Sequence, residues 1–179
     1  MKFHETAVAG AYVVEPEHAE DERGFFARTF SVAEFAERGL EVAVAECSVA
    51  YNRVRGTLRG LHYQLAPHEE AKLVRCTHGS AYDVAVDLRA ASPTHLRWAA
   101  VEVSAENRLA FYIPPGCAHG YLTLTDGAEL HYQISKRHVP AAAAGLRWDD
   151  PAVGISWPHA PEVISTRDAS YPDLDATAE

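Results

Sequence analysis

Lysine, cysteine and methionine are nearly missing from this chain of 179 residues. It has three lysines, three cysteines and one methionine. The cysteines, Cys47, Cys76 and Cys117, are odd in number and far apart, and no C-x-x-C pair occurs. Neither a disulfide framework nor a structural zinc site is expected. There is no apolar run near the ~20 residues a membrane helix needs. The opening residues show no uninterrupted apolar segment of the secretory type. Positive charge is also short: 16 Lys and Arg face 25 Asp and Glu, a formal net charge of −9. A nucleic-acid binder with a broad basic face is disfavoured. What remains is 47% hydrophobic and 23% charged, a globular composition. The expectation is one soluble, cytoplasmic domain over 1–179.

The charge is unevenly placed. From Asp149 onward the chain carries Asp149, Asp150, Glu162, Asp168, Asp173, Asp175 and Glu179 against a single base, Arg167. In the middle, Arg53, Arg55, Arg59, Lys72 and Arg75 crowd into a short span. They are read either as ordinary solvated surface or as a pocket for an anion inside an acidic protein.

One short helix is legible. Ser31-Val-Ala-Glu34 has the form of a capping box, Val32, Phe35 and Ala36 give an apolar stripe, and Gly39 follows as a stop. Most of the rest reads as strands: 11–15, 24–30, 42–51, 56–64, 72–77, 80–88, 96–103, 110–113, 118–124 and 128–135. Turn residues separate them, among them His78-Gly79, Ser92-Pro93, Pro114-Pro115-Gly116 and Asp126-Gly127. Short strands at such spacings imply an all-β sandwich or barrel, not a doubly wound α/β fold. The last forty residues (140–179) read as irregular chain pinned by aromatics, with short helical turns.

The densest chemistry is Gly56-Thr-Leu-Arg-Gly-Leu-His-Tyr-Gln64. Strict alternation puts Leu58, Gly60, His62 and Gln64 on one face and Arg59 on the other, unless Gly60 sits in a bulge. Gly60 also leaves space for a ligand beside His62. Further on, Pro114-x-Gly116-x-x-His119 looks like the second signature of the cupin superfamily, the double-stranded β-helix (jelly-roll) proteins. The paired histidines of the metal-binding first signature are absent: the chain reads His62-Tyr63-Gln64. His62 and His119 alone do not make a three-ligand metal site.

The whole chain from about Val8 to Pro172 resembles the dTDP-4-dehydrorhamnose 3,5-epimerase family. The resemblance is carried by Asp21-Glu-Arg-Gly-Phe-Phe26, Leu58-Arg-Gly-Leu-His-Tyr-Gln64, Lys72-Leu-Val-Arg-Cys76, Tyr82-Asp-Val-Ala-Val-Asp87 and Ser92-Pro-Thr94. Also part of it are Ser104-Ala-Glu-Asn107, Ile113-Pro-Pro-Gly116, Ala118-His-Gly120, Tyr132, Trp148-Asp-Asp-Pro151, Gly154-Ile-Ser-Trp-Pro158 and Ser165-Thr-Arg-Asp168. It implies an all-β cupin-type jelly roll, a homodimer, no metal and no cofactor. The implied substrate is a dTDP-4-keto-6-deoxyhexose, whose C4 ketone acidifies the hydrogens at C3 and C5.

The implied roles are these. His62 is the base, Asp168 orients it, Lys72 stabilises the enolate oxygen, and Tyr132 is the acid on the opposite face. Arg59 and His119 make further contacts to sugar and phosphate. Arg23 and Phe26 lie in an N-terminal region (1–50) that contributes to the dimer, and reach the partner's nucleotide. Departures from the family pattern at Arg28, Glu46, His138 and Ala143 fall on nucleotide and sugar recognition, with Glu46 and His138 taken as substrate contacts. The expected reaction converts dTDP-4-dehydro-6-deoxy-D-glucose to dTDP-4-dehydro-L-rhamnose. Alternatives are a relative inverting only C3 or only C5, a metal-dependent cupin oxygenase, or a non-catalytic sugar-nucleotide binding module.

Overall fold

The computed structural model describes residues 1–174; Asp175 and Glu179 of the acidic tail lie outside the described residues. Fourteen strands are described: β1 (Lys2–Glu5), β2 (Tyr12–Glu15), β3 (His18–Asp21), β4 (Gly24–Ala27), β5 (Glu46–Asn52), β6 (Thr57–Gln64) and β7 (Lys72–His78), followed by β8 (Ser80–Asp87), β9 (Trp98–Ser104), β10 (Ala110–Ile113), β11 (Cys117–Thr123), β12 (Ala128–Ile134), β13 (Ala143–Gly145) and β14 (Val163–Ile164). Two helices, α1 (Val32–Ala36) and α2 (Thr166–Ala169), and one 3₁₀ turn complete them.

One six-stranded sheet runs β1-β2-β10-β7-β12-β5. The second runs β13-β6-β11-β8-β9, with β14 added in parallel to β6. The two sheets face each other as a cupin-like jelly roll. Val74, Phe111, Ile113 and Leu130 from the first pack against Ala81, Ala85, Val103, Cys117 and Tyr121 from the second. Each sheet is also covered on its outer face. Phe35 of α1 is fully buried against Val14, Leu73 and Tyr112. Leu61, Val84, Val86 and Ala118 are covered by Leu146, Ile155 and Trp157 of the C-terminal segment. Every residue of β11 is therefore buried, and the period-2 alternation of a one-sided strand is lost there.

Each strand read from the sequence is present, with ends shifted by a few residues. The largest shift is at β5, which begins at Glu46 because 41–45 carries no ladder. Four strands escape the sequence reading: β1, β3, β13 and β14. The cap of α1 is half as expected. Ser31 Oγ accepts from the Glu34 N–H at 3.4 Å, but the Glu34 carboxylate does not reach back; it binds the N-terminal ammonium of Met1 at 2.8 Å. The Ser92-Pro-Thr94 motif also has a structural role. Asp87 at the end of β8 accepts from Arg89, Ser92 and Thr94, and Thr94 Oγ1 accepts from the Ala9 N–H at 3.0 Å. These bonds hold the Asp87 carboxyl well below the usual range.

Candidate active site

Register decides which side chains meet. In β11 opposite β6, His119 pairs His62 and Tyr121 pairs Arg59, so two residues of β6, Gly60 and Leu61, oppose the single Gly120. This is a bulge. His119 and Tyr121 share a face, so their partners His62 and Arg59 do too. Strict alternation is thus overturned in favour of the bulge. Gly60 has φ +130°, and a Cβ there would lie 2.5 Å from the Cα of Gly120. Only glycine allows both the conformation and the approach. On the facing sheet, Val74 and Cys76 of β7 and Leu130 of β12 point into the core. Lys72 and Tyr132 share their parity, which directs them toward the same interior.

The C-terminal segment delivers the carboxylate. Strand β14 pairs Val163 with Thr57 and Ile164 with Leu58. Ser165 then caps α2 by accepting from the Asp168 N–H at 3.0 Å. Asp168, 4% exposed, is held at both oxygens. Oδ2 accepts from the Gly60 N–H at 3.1 Å, and Oδ1 lies 2.8 Å from His62 Nε2. With Nε2 donating to this carboxylate, the neutral imidazole keeps its lone pair on Nδ1. Burial pushes the His62 pKa below its ordinary value; the bond to Asp168 acts in the opposite direction and is outweighed. His62 is therefore unprotonated at neutral pH and available as a base.

This ring borders two clefts. One, of about 200 Å³, is lined by Glu46, Glu70, Lys72, Lys136, His138 and Ala143 together with His62 and Arg167. The other, of about 380 Å³, is lined by Arg59, Ser165 and Asp168, again with His62 and Arg167. Deeper in the barrel, the His119 ring meets the Tyr132 ring edge-on at 5.7 Å, and His119 Nε2 lies 2.6 Å from buried Asp83. Desolvation pushes the Tyr132 phenol well above its ordinary range, so it carries its proton. Arg59 Nε and the Tyr121 hydroxyl both donate to Asn52 Oδ1, at 2.9 and 3.2 Å.

His62 and Asp168 are in direct contact, Arg59 and Lys72 line the clefts beside them, and Tyr132 and His119 lie in the interior without lining either cleft. Glu46, His138 and Ala143 line one lobe together, whereas Arg28 lies away from it, 3.8 Å from Glu34. Arg23 and Phe26 stand on the exposed β3–β4 hairpin and reach neither cleft of their own chain. The five-residue basic span does not form one pocket. Arg55 pairs with Glu162 and Arg75 donates to the Thr29 carbonyl. Charge reading missed Arg167, which lines both lobes, and Glu70, which pairs with Lys72. The adjacency of Arg167 to Asp168 and the i, i+2 spacing of Glu70 from Lys72 are the available signals. Among the described residues no three His, Cys, Asp or Glu side chains converge to hold a metal.

Known proteins resemble this chain in sequence and in fold. The sequence profile of the dTDP-4-dehydrorhamnose 3,5-epimerase family matches residues 5–176. The dTDP-4-dehydrorhamnose 3,5-epimerase of Methanothermobacter thermautotrophicus is 45% identical over 88% of this chain and 84% of its own length. The dTDP-6-deoxy-D-glucose-3,5-epimerase of Legionella pneumophila, solved with dTDP-4-keto-L-rhamnose, superposes with a TM-score of 0.90 at 33% identity, covering 99% of this chain and 94% of that one. A 3'-monoepimerase of Streptomyces bikiniensis, solved with dTDP-quinovose, has a TM-score of 0.87 at 36% identity, covering 96% and 87%. The chain belongs to the dTDP-4-dehydrorhamnose 3,5-epimerase family.

Proposed function

We propose that this chain is an isomerase that epimerises dTDP-4-dehydro-6-deoxy-D-glucose at C3 and C5, giving dTDP-4-dehydro-L-rhamnose. The observation that carries the reading is the buried Asp168 carboxylate bonded to His62 Nε2 at 2.8 Å. His62 Nδ1 removes the proton from the carbon next to the ketone. The C–H electron pair moves into the C–C bond, and charge develops on the C4 oxygen, where the Lys72 ammonium stabilises it. Tyr132 returns a proton to the carbon on the other face, and solvent resets both groups. The pair of guanidinium groups at Arg59 and Arg167 suits the diphosphate, since Arg binds phosphate oxygens bidentately. A binding module has no need of an imidazole oriented by a buried carboxylate.

The active form is a homodimer in this reading, built through residues 1–50. Phe26 is 78% exposed on a hairpin that pairs with no other strand of its own chain. The edge strand β5 also bares Val49 and Tyr51. Exposed edges and aromatic residues of this kind are what a second copy covers. No described helix is long and apolar enough to cross a membrane; the enzyme is read as cytoplasmic.

The test is proton NMR of the dTDP-4-keto sugar with the protein in D2O. Deuterium at C3 and C5 with formation of the L-rhamno product is the expected result. Exchange at C3 alone would reassign it as a 3-epimerase, and exchange at neither carbon would remove the reading.

A further inference from the structure

Glu70 has no part in the chemistry above, yet its side chain is among the most unusual in the protein. It is 7% exposed and lines the same lobe as His62 and Lys72. Its Oε1 lies 2.5 Å from Lys72 Nζ, while its Oε2 is shut off from solvent with no hydrogen-bond partner. Lys72 is itself only 8% exposed. A buried carboxylate oxygen without a donor is unfavourable, and in a ligand cleft the simplest compensation is a donor supplied by the ligand.

The pair therefore holds, side by side, a charged donor and an unpartnered charged acceptor, which a small turn of the Glu70 side chain brings to the cleft. An α-hydroxyketone presents the complement: a carbonyl oxygen that only accepts and, on the next carbon, a hydroxyl that donates. Left alone, that hydroxyl turns to its own carbonyl and competes for the lone pair that Lys72 needs.

Resting on the epimerase reading, we propose that Glu70 and Lys72 act as one clamp for the ketone and its neighbouring hydroxyl, with Lys72 Nζ donating to the C4 oxygen and Glu70 Oε2 accepting from the C3 hydroxyl. Glu70 is then a specificity-determining residue. It draws the hydroxyl proton away from the ketone and leaves the ketone oxygen to Lys72. Oε1 stays with the ammonium, so the clamp adds no net charge where the enolate forms.

The experiment compares C5–H exchange in D2O for two substrates, the 4-keto-6-deoxyhexose nucleotide and its 3-deoxy analogue. C5 is common to both. For the unaltered enzyme, kcat/KM for exchange is expected to fall roughly tenfold to a hundredfold without the hydroxyl, the range for a hydrogen bond to a charged group. Glu70→Gln conserves shape but turns its amide toward the hydroxyl, and should bring the two substrates to within a few-fold of each other. A role confined to holding Lys72 would slow both substrates equally and leave their ratio intact; an unchanged ratio in the variant overturns the clamp. So does an unaltered enzyme that processes both substrates equally, which needs no variant to fold. An enzyme inert toward every such nucleotide sugar removes the epimerase reading, and the clamp with it.

Discussion

Replacing Asp168 with Asn changes one oxygen to an NH2 group and tests how His62 is made a base. The structure says which way the new amide turns. Oδ2 of Asp168 accepts from the Gly60 N–H, a donor that cannot move because the bulge fixes it. The asparagine must keep its oxygen there, so its NH2 faces His62 Nε2. Two donors cannot share that contact, and the neutral imidazole moves its proton from Nε2 to Nδ1. Nδ1 is then occupied and the base is lost. In addition, the imidazolium that forms during proton abstraction loses a charge-assisted hydrogen bond of about 1.5–3 kcal/mol. Together these predict a fall in kcat of roughly 10²–10⁴-fold with the fold intact.

The pH profile adds a signed test of the same variant. His62 titrates below 6.5 because burial outweighs Asp168, which acts upward. Activity of the unaltered enzyme should therefore rise through an acid limb below pH 6.5 and be full at neutrality. The same shift makes the neutral ring stabilising above 6.5, and this contribution is lost as pH falls through the folded-state pKa. Removing the carboxylate takes away the upward contribution, so residual activity in Asp168→Asn should have its acid limb at still lower pH. Nitrogen NMR of the imidazole reads the tautomer directly. Wild-type exchange rates, or an acid limb moved upward, would refute the reasoning.

Strand content was legible because turns such as Pro114-Pro-Gly116 and Asp126-Gly127 carry their own chemistry. Among the missed strands, β14 lacks such signals. Strand β14 is two residues long and exists because Val163 and Ile164 find the edge of β6, a tertiary event with no local pattern. Gly145 of β13 is tolerated because the Tyr171 ring lies where its Cβ would be. The His62–Asp168 pair, 106 residues apart, was reached through family resemblance, since no spacing links them. In sequence, a carboxylate two residues before a lysine, as at Glu70, reads as solvated surface. Only burial reveals an orphaned oxygen. The bulge at Gly60, by contrast, was an open alternative in the sequence itself, and the register of β11 decides it.

Tyr132→Phe removes one hydroxyl and keeps the ring, so enolate formation should survive. Deuterium should enter the sugar without net inversion, with turnover down roughly 10²–10⁴-fold; inversion at the normal rate would excuse Tyr132 as the acid. In sedimentation at micromolar concentration the chain should run as a dimer burying more than about 2,000 Å² in total, and Phe26→Arg should weaken it; a wild-type monomer would sink that assignment. Gly60→Ala tests the bulge, where two penalties coincide. A φ of +130° strains any L side chain, and the new methyl meets backbone at Gly120 Cα, 2.5 Å away, which no rotamer change relieves. Strain and overpacking together should destabilise by about 2–5 kcal/mol, or on the order of 10 °C in Tm. Gly154→Ala is the control, because Gly154 shares positive φ (+64°) but has nothing within 4 Å of its Cβ position. It should lose only about 1–2 kcal/mol. Strands β6 and β11 must part to admit the Gly60 methyl, and the Gly60 N–H moves with them. Asp168 then loses a bond and His62 its orientation, so exchange should fall further than stability alone explains. Equal melting for the two variants would show that the close approach is not what position 60 demands.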